Sequence, residues 1–325
     1  MKVKKLLPVL ALALAATTFA ACGDQSVAFG QYWFHDNLTI ENNFYEHAEY
    51  AVSSKSYESS YCNYTVEYKG TFTTTLEYNA TASVYTFATK LDVTTTFTLG
   101  DQKSQPLTDT AESKVTFSGK GNTLRPIEST KKMTSHTPLS GNYTSVDECY
   151  ATVEYEYTTT YADKNTVDGY CNITNSKGET NKITINDTFD FIKDYSFIDN
   201  EQLLVAVRAF DTDTSAATLG TYSVFAENTQ KVAISFTTAD ASENFNYHLT
   251  TADGTTNSKS KAILCRTAKI NLDQQNPGST QVIKFAKAQK SDKNTDRNLI
   301  LEITTPLYYG IGEIYYKLKS VSYTK

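Results

Sequence analysis

From Tyr61 onward apolar and polar residues alternate with a period of two. Tyr64, Val66 and Tyr68 alternate with Thr65, Glu67 and Lys69, the mark of a strand with one wet face. Lys69-Gly70 reads as a turn or bulge, and Phe72, Thr74, Leu76 and Tyr78 then resume the alternation. The longest run covers residues 85–99. Tyr85, Phe87, Leu91, Val93, Phe97 and Leu99 share one face, against Thr86, Lys90, Asp92, Thr94, Thr96 and Thr98 on the other. At about 3.3 Å per residue this run spans roughly 50 Å. A strand so long must coil or bend, which predicts a large curved sheet.

The same period returns along the chain. Val115 and Phe117 mark a strand, and 124–133 another, with Pro126 predicting an edge or a bulge. Residues 136–141, with Pro138, Ser140 and Gly141, are a candidate break between two similar halves. Beyond them Cys149-x-x-Thr152-Val153-Glu154-Tyr155 repeats Cys62-x-x-Thr65-Val66-Glu67-Tyr68 at an offset of 87 residues. In both copies the cysteine shares its face with valine and tyrosine, so both sulfurs are expected to point inward. Strands are further predicted at 169–174, 183–191, around Tyr222 and Val224, at 232–236, around Phe245 and Tyr247, at 262–270, around Ile283 and Phe285, at 299–303 and at 311–323. Short turns between them make the fold class all-β: a large curved antiparallel meander, an open or half barrel, with one buried helix.

That helix is predicted where the period breaks. Asp199 opens a run of helix formers from Leu203 to Phe210 and can form a capping box with Gln202. The run is nearly apolar all round, so it should be buried on most sides, as a plug for the curved sheet. Arg208, its one charge, is expected to snorkel to the rim; the other arrangement is a pair with a carboxylate inside a cavity. Ahead of the strands, Glu41 to Tyr50 places Phe44, Tyr45 and Ala48 at helical spacing and reads as a short helix. Residues 22–60 are taken as a tether and N-terminal segment, with the β domain at 61–325.

The first 21 residues have the three parts of a secretory signal: Lys2, Lys4 and Lys5, then an apolar stretch over 6–14, then small residues. The apolar stretch is too short to span a bilayer. Phe19-Ala20-Ala21-Cys22 resembles a bacterial lipobox, although Phe19 stands where leucine, valine or isoleucine is usual. The resemblance implies a diacylglycerol on Cys22, which gives two acyl chains and stable membrane attachment. It also implies an extracytoplasmic chain, lipid-anchored at the bacterial cell surface or in the periplasm. Plain cleavage after Ala20 is the alternative.

Composition refines this picture. The 23 tyrosines and many threonines suit a pleated surface with one face wet. The net charge of −6 becomes −9 without the leader lysines, with residues 255–325 at +7. Lysines on strand edges, which block edge-to-edge pairing, account for the basic end. Nucleic acid is excluded as a partner for an exported acidic chain. Cys62, Cys149, Cys171 and Cys265 allow two disulfides in three connectivities. None forms a CxxC pair, which argues against structural zinc.

Catalytic signatures are missing: no GxSxG, HExxH, Walker loop or GxGxxG occurs. His35, His47, His136 and His248 have no ligand spacing. The acidic stretch from Asp211 to Ser215 lacks the glycine and glutamate of a calcium loop. Glu67, Glu77, Glu154 and Glu156 fall on the faces opposite the apolar residues, so no carboxylate pair is placed for glycoside hydrolysis. The chain is therefore read as non-catalytic, with no metal and no cofactor.

In general plan the curved sheet with an apolar helix resembles the half-barrel lipoprotein carriers of the LolA type, whose concave face holds acyl chains. The resemblance covers residues 61–325 at the level of architecture and carries no motif. It implies a lipid or other amphiphile against Tyr85, Phe87, Leu91, Val93 and Phe97 and the helix face Leu203, Val207 and Phe210. The alternative reading packs the same residues together as an ordinary core. The alternative function is a surface structural or interaction protein that binds cell-wall polymer, glycan or another protein through exposed tyrosines such as Tyr315 and Tyr323.

Overall fold

Period-two alternation becomes strand almost everywhere it occurs. The computed structural model describes residues 43–120, 124–162, 166–188, 197–210, 214–224, 228–237, 241–271, 280–287 and 298–324. The leader, Cys22, the loop at Asp211 to Asp213 and His35 lie outside them. The first strands are β1 Phe44–Ser56, β2 Thr65–Asn79, β3 Val84–Leu99, β4 Gln102–Lys103, β5 Leu107–Ser118 and β6 Pro126–Pro138. They are followed by β7 Tyr150–Ala162, β8 Thr166–Asn175, β9 Thr180–Thr188 and β10 Phe197–Ile198. After the helical segment come β11 Ala216–Ser223, β12 Asn228–Phe236, β13 Ala241–Thr250 and β14 Thr256–Asn271. The last are β15 Thr280–Ala286, β16 Ile300–Pro306 and β17 Gly312–Thr324.

All seventeen strands of the described residues belong to one sheet. From β9 back through β8, β7, β6, β5, β3 and β2 to β1, neighbours pair antiparallel. The other edge of β1 pairs with β17. The far edge of β17 takes β16 over 313–317 and, in parallel, β13 over 320–322. Since β13, β14, β15 and β16 also pair in succession, these five strands form a closed circuit. The result is a β-barrel-like curved sheet, and its inner face is one continuous apolar core.

The curvature has local causes. β3 keeps its predicted faces over its whole length, with Tyr85, Phe87, Leu91, Val93, Phe97 and Leu99 all buried. Gly70 is no turn but lies mid-strand in β2, in unbroken register with Val93. A Cβ there would lie 2.1 Å from the Asp92 carbonyl oxygen, so a hydrogen is required for the two backbones to coil this closely. The bulge expected at Pro126 is present: Thr116 faces Glu128 while Phe117 faces Pro126, which leaves Ile127 as the extra residue.

The N-terminal expectations need correction. Of the residues read as a helix at 41–50, those from Phe44 on instead form β1, in which Phe44, Glu46, Ala48, Tyr50 and Val52 all face inward and are buried. Glu46 disguised the alternation. Among the described residues the β-body accordingly starts with Phe44, and β1 is its seam rather than part of a tether. At 136–141 residues 136–138 still face 150–152 of β7, and β6 ends at Pro138. Tyr323, expected at the surface, is buried against Phe44 with ring centroids 6.3 Å apart.

Candidate functional site

The helical segment comprises a 3-10 turn Asn200–Gln202, α1 Leu203–Ala206 and a second 3-10 turn Val207–Ala209. It sits inside the curved sheet, and every residue from Phe197 to Phe210 except Asn200 is buried. The capping box forms as the spacing predicts. Asp199 accepts from the Glu201 amide at 2.8 Å, and its own amide donates to the Gln202 side chain at 3.2 Å.

Two ion pairs fasten this plug to opposite walls. At its start, Lys131 of β6 donates to both Glu201 carboxylate oxygens at 2.9 and 3.1 Å, and the Tyr157 hydroxyl adds a bond of 2.7 Å. At its end, Arg208 makes a bidentate pair with Glu46 of β1 at 2.7 and 2.8 Å. Arg208 does not snorkel; both members of its pair are 2% exposed. Planar guanidinium and carboxylate match in this geometry, which gives direction as well as attraction. Burial alone would raise the Glu201 pKa, but Lys131 and Tyr157 outweigh it and hold the carboxyl below its usual range. Asp199 goes the other way: burial raises its pKa, despite hydrogen bonds from Tyr161 and the Glu201 amide. Burial would likewise lower the Arg208 pKa, yet Glu46 raises it overall.

The eight residues expected to line an acyl pocket are Tyr85, Phe87, Leu91, Val93, Phe97, Leu203, Val207 and Phe210. Each is at most 4% exposed, as part of the packed core. Leu91 borders a cavity of about 30 Å³, beside Leu204, Phe72, Gln281 and the Lys131–Glu201 pair. That is room for a water molecule, which needs roughly 10–15 Å³. Gln281 supports this reading: its amide donates to Thr305 at 3.0 Å, while its buried Oε1 has no protein partner.

A second polar node lies at the β5–β6 margin. Asp109 accepts from Thr95 at 2.5 Å and from the His136 backbone amide at 2.9 Å, with His136 Nδ1 at 2.5 Å. The edge of the Tyr150 ring packs on that imidazole at 5.5 Å. The carboxylate thus orients the histidine. Among the described residues no three His, Cys, Asp or Glu side chains gather as a metal site. Glu67, Glu77, Glu154 and Glu156 face solvent, as their positions predict.

The surface feature that local patterning does not reveal is a tyrosine cluster built from three connections. Residues 57–64 link β1 to β2, 139–149 link β6 to β7, and 307–311 link β16 to β17. Backbone bonds join them: Tyr57 N to Ile311 O at 2.8 Å and Gly141 N to Tyr61 O at 2.9 Å. Ser59 donates to Tyr309 O at 2.5 Å, and Asn63 exchanges two bonds with Tyr143. Tyr57 and Tyr315 both donate to Glu313, at 2.8 and 2.6 Å. Tyr308 and Tyr309 bring their ring centroids to 6.2 Å. Tyr61 stands out at 65% exposed; among the described residues only Ile127 joins it as an exposed large apolar side chain.

Tyr309 has φ +61° and ψ +13°, followed by Gly310 at φ +65°. A left-handed pair at the centre of a hairpin turn suits glycine or asparagine. A tyrosine there is strained, and strain of this kind concentrates at functional positions. The signal available in the sequence was the placing of tyrosines inside turn segments, Ser59-Ser60-Tyr61 and Tyr308-Tyr309-Gly310.

No family model matches the chain, and no curated protein is similar to it. Among solved structures it is similar to a β-barrel-like protein of the domain of unknown function DUF1849 from Brucella abortus, at 12% identity and a TM-score of 0.44. The similarity covers 86% of this chain and 98% of that one. No helix of the described residues is long and apolar enough to cross a membrane. The described residues define an all-β, barrel-like protein with a buried helical segment inside its curved sheet.

Proposed function

We propose that this chain is a lipid-tethered, extracytoplasmic, non-catalytic binding protein that recognises a polyhydroxylated polymer of the cell wall through its tyrosine cluster. The observation that carries the reading is the contrast between inside and outside. The eight residues expected to line a concave pocket are each at most 4% exposed, whereas Tyr61 is 65% exposed, among connections that also carry Tyr57, Tyr143 and Tyr309. Tyrosine suits such a surface: its rigid ring offers contact area at low entropy loss, and its hydroxyl bonds polar partners. Flat rings stack on the C–H faces of sugars, while Glu313 and the exposed Tyr61 phenol meet their hydroxyls.

Pull-down on insoluble cell-wall material tests the surface. Tyr61→Ala is expected to weaken adherence about tenfold, the order of one lost aromatic contact worth ~1–2 kcal/mol. Tyr309→Asn should also weaken it while raising stability by about 0.5–1 kcal/mol, because asparagine tolerates the left-handed backbone. Adherence unchanged in both variants would sink the proposal, as would capture by a protein partner alone.

The tether is tested separately. Cys22→Ser should move the chain from the membrane fraction to the soluble one; retention on the membrane would reject lipid attachment at that residue.

A further inference from the structure

We propose that Cys62 and Cys149 form a disulfide that ties connection 57–64 to connection 139–149, beneath the tyrosine cluster. Both residues converge on one stretch of backbone. The Leu139 amide donates to Cys149 O at 2.9 Å, and the Cys62 thiol reaches Leu139 O at 3.7 Å. Cys62 also forms a parallel bridge with Gly141, two residues beyond Leu139. Cys149 and Cys62 thus both meet the backbone of 139–141, one at Leu139 and the other at Leu139 and Gly141. The Tyr64 hydroxyl donates to the same Leu139 oxygen at 2.7 Å, and its ring packs on Tyr143 at 6.1 Å. Both cysteines are buried.

The remaining cysteines have no such relation. Cys171 on β8 stands opposite Tyr157 and Ile183, and Cys265 on β14 opposite Ala241 and Ala286. The strands β8 and β14 are not neighbours in the sheet. Of the three connectivities open to four cysteines, the fold therefore favours 62–149 and leaves Cys171 and Cys265 as thiols. The electrostatics agree with the geometry. Burial, then the adjacent Cys62 sulfur, pushes the Cys149 thiol up to about 11, so each sulfur lies within the field of the other.

The oxidant is a small-molecule disulfide such as oxidised glutathione. One cysteine thiolate attacks it and releases a glutathione thiol, leaving a mixed disulfide. The second thiolate then attacks that bond and releases the other glutathione. One S–S bond forms in the protein and one is broken in the oxidant, which takes up the two electrons; the two thiol protons end on the released glutathiones.

The experiment is to unfold the purified full chain in urea, refold it with oxidised and reduced glutathione, alkylate, and map peptides by mass. A linked 62–149 peptide pair is expected, with Cys171 and Cys265 alkylated. The cross-link closes an 87-residue separation, and its reduction should lower the thermal midpoint by roughly 5–10 °C. A Cys171→Ser, Cys265→Ser chain should keep both the linked peptide and the shift. Alkylation of both Cys62 and Cys149, or pairing of either with Cys171 or Cys265, would overturn the proposal.

Discussion

Replacing Arg208 with methionine should destabilise the protein by roughly 3–5 kcal/mol, the order of breaking a buried pair on one side. The reason lies in what remains. Glu46 would stay on the inner face of β1, 2% exposed, with its bidentate partner gone. β1 is the seam between β2 and β17, so distortion there reaches both edges. The Arg208 carbonyl also accepts from Asn298 at 2.9 Å, which ties the end of the plug to the approach to β16. Glu46→Gln should be damaging as well, since it leaves the guanidinium charge buried. Joining Glu46→Met to Arg208→Met should recover most of the loss, because an apolar pair of similar volume often replaces a buried ion pair at no net cost. Urea unfolding of the two single variants and the double variant gives the coupling directly. If the single losses stay under about 1 kcal/mol, or simply add in the double variant, the pair is not the buried fastener described here.

That pair also marks the boundary of what local patterning can show. Wherever the inner face was apolar, alternation sufficed: β3 holds each of its predicted faces, and the helix at 199–210 is capped and buried as its composition requires. Exposed acids such as Glu67 and Glu154 were placed correctly by the same parity. The reading failed where the inner face carries charge. Glu46 sits between Phe44 and Ala48 on the core side of β1 and turned a strand into an apparent helix. Lys131 lies inward on β6, between Ser129 and Met133, where it looks like a solvent residue. Each is tolerable inside only because its partner arrives from the plug, 162 residues away for Glu46 and 70 for Lys131. Local period cannot register a partner at that distance. The tyrosine cluster was hidden for a related reason, since its three connections are adjacent only once β1, β6 and β17 have been assembled.

The Lys131–Glu201 pair should respond to pH in a way that separates it from the neighbouring Asp199. Lys131→Met leaves Glu201 buried with neutral donors in place of a charge, among them the Tyr157 hydroxyl and the Asn200 amide, so a loss of roughly 3–5 kcal/mol is expected at neutral pH. In the intact protein Glu201 has a lowered folded pKa. Its ionised form therefore stabilises the fold above the unfolded carboxyl pKa, and that contribution disappears as pH falls through the lower folded value. The penalty of Lys131→Met should shrink on the same descent, because protonation neutralises the stranded carboxyl. Asp199 has the opposite sign. Its folded pKa is raised, so its contribution is complete below the unfolded value and is lost as pH rises through the folded one. Asp199→Asn keeps a good cap for the helix, since asparagine and aspartate serve about equally there, within about 0.5 kcal/mol. It removes the charge that burial opposes, so the variant should match or exceed the parent in stability at neutral pH and gain nothing in acid. Chemical denaturation of both variants between pH 3 and 8 checks this (range chosen around the ordinary carboxyl pKa of about 4). A Lys131→Met penalty that stays constant across that range would mean that the charge on Glu201 does not hold the plug to β6.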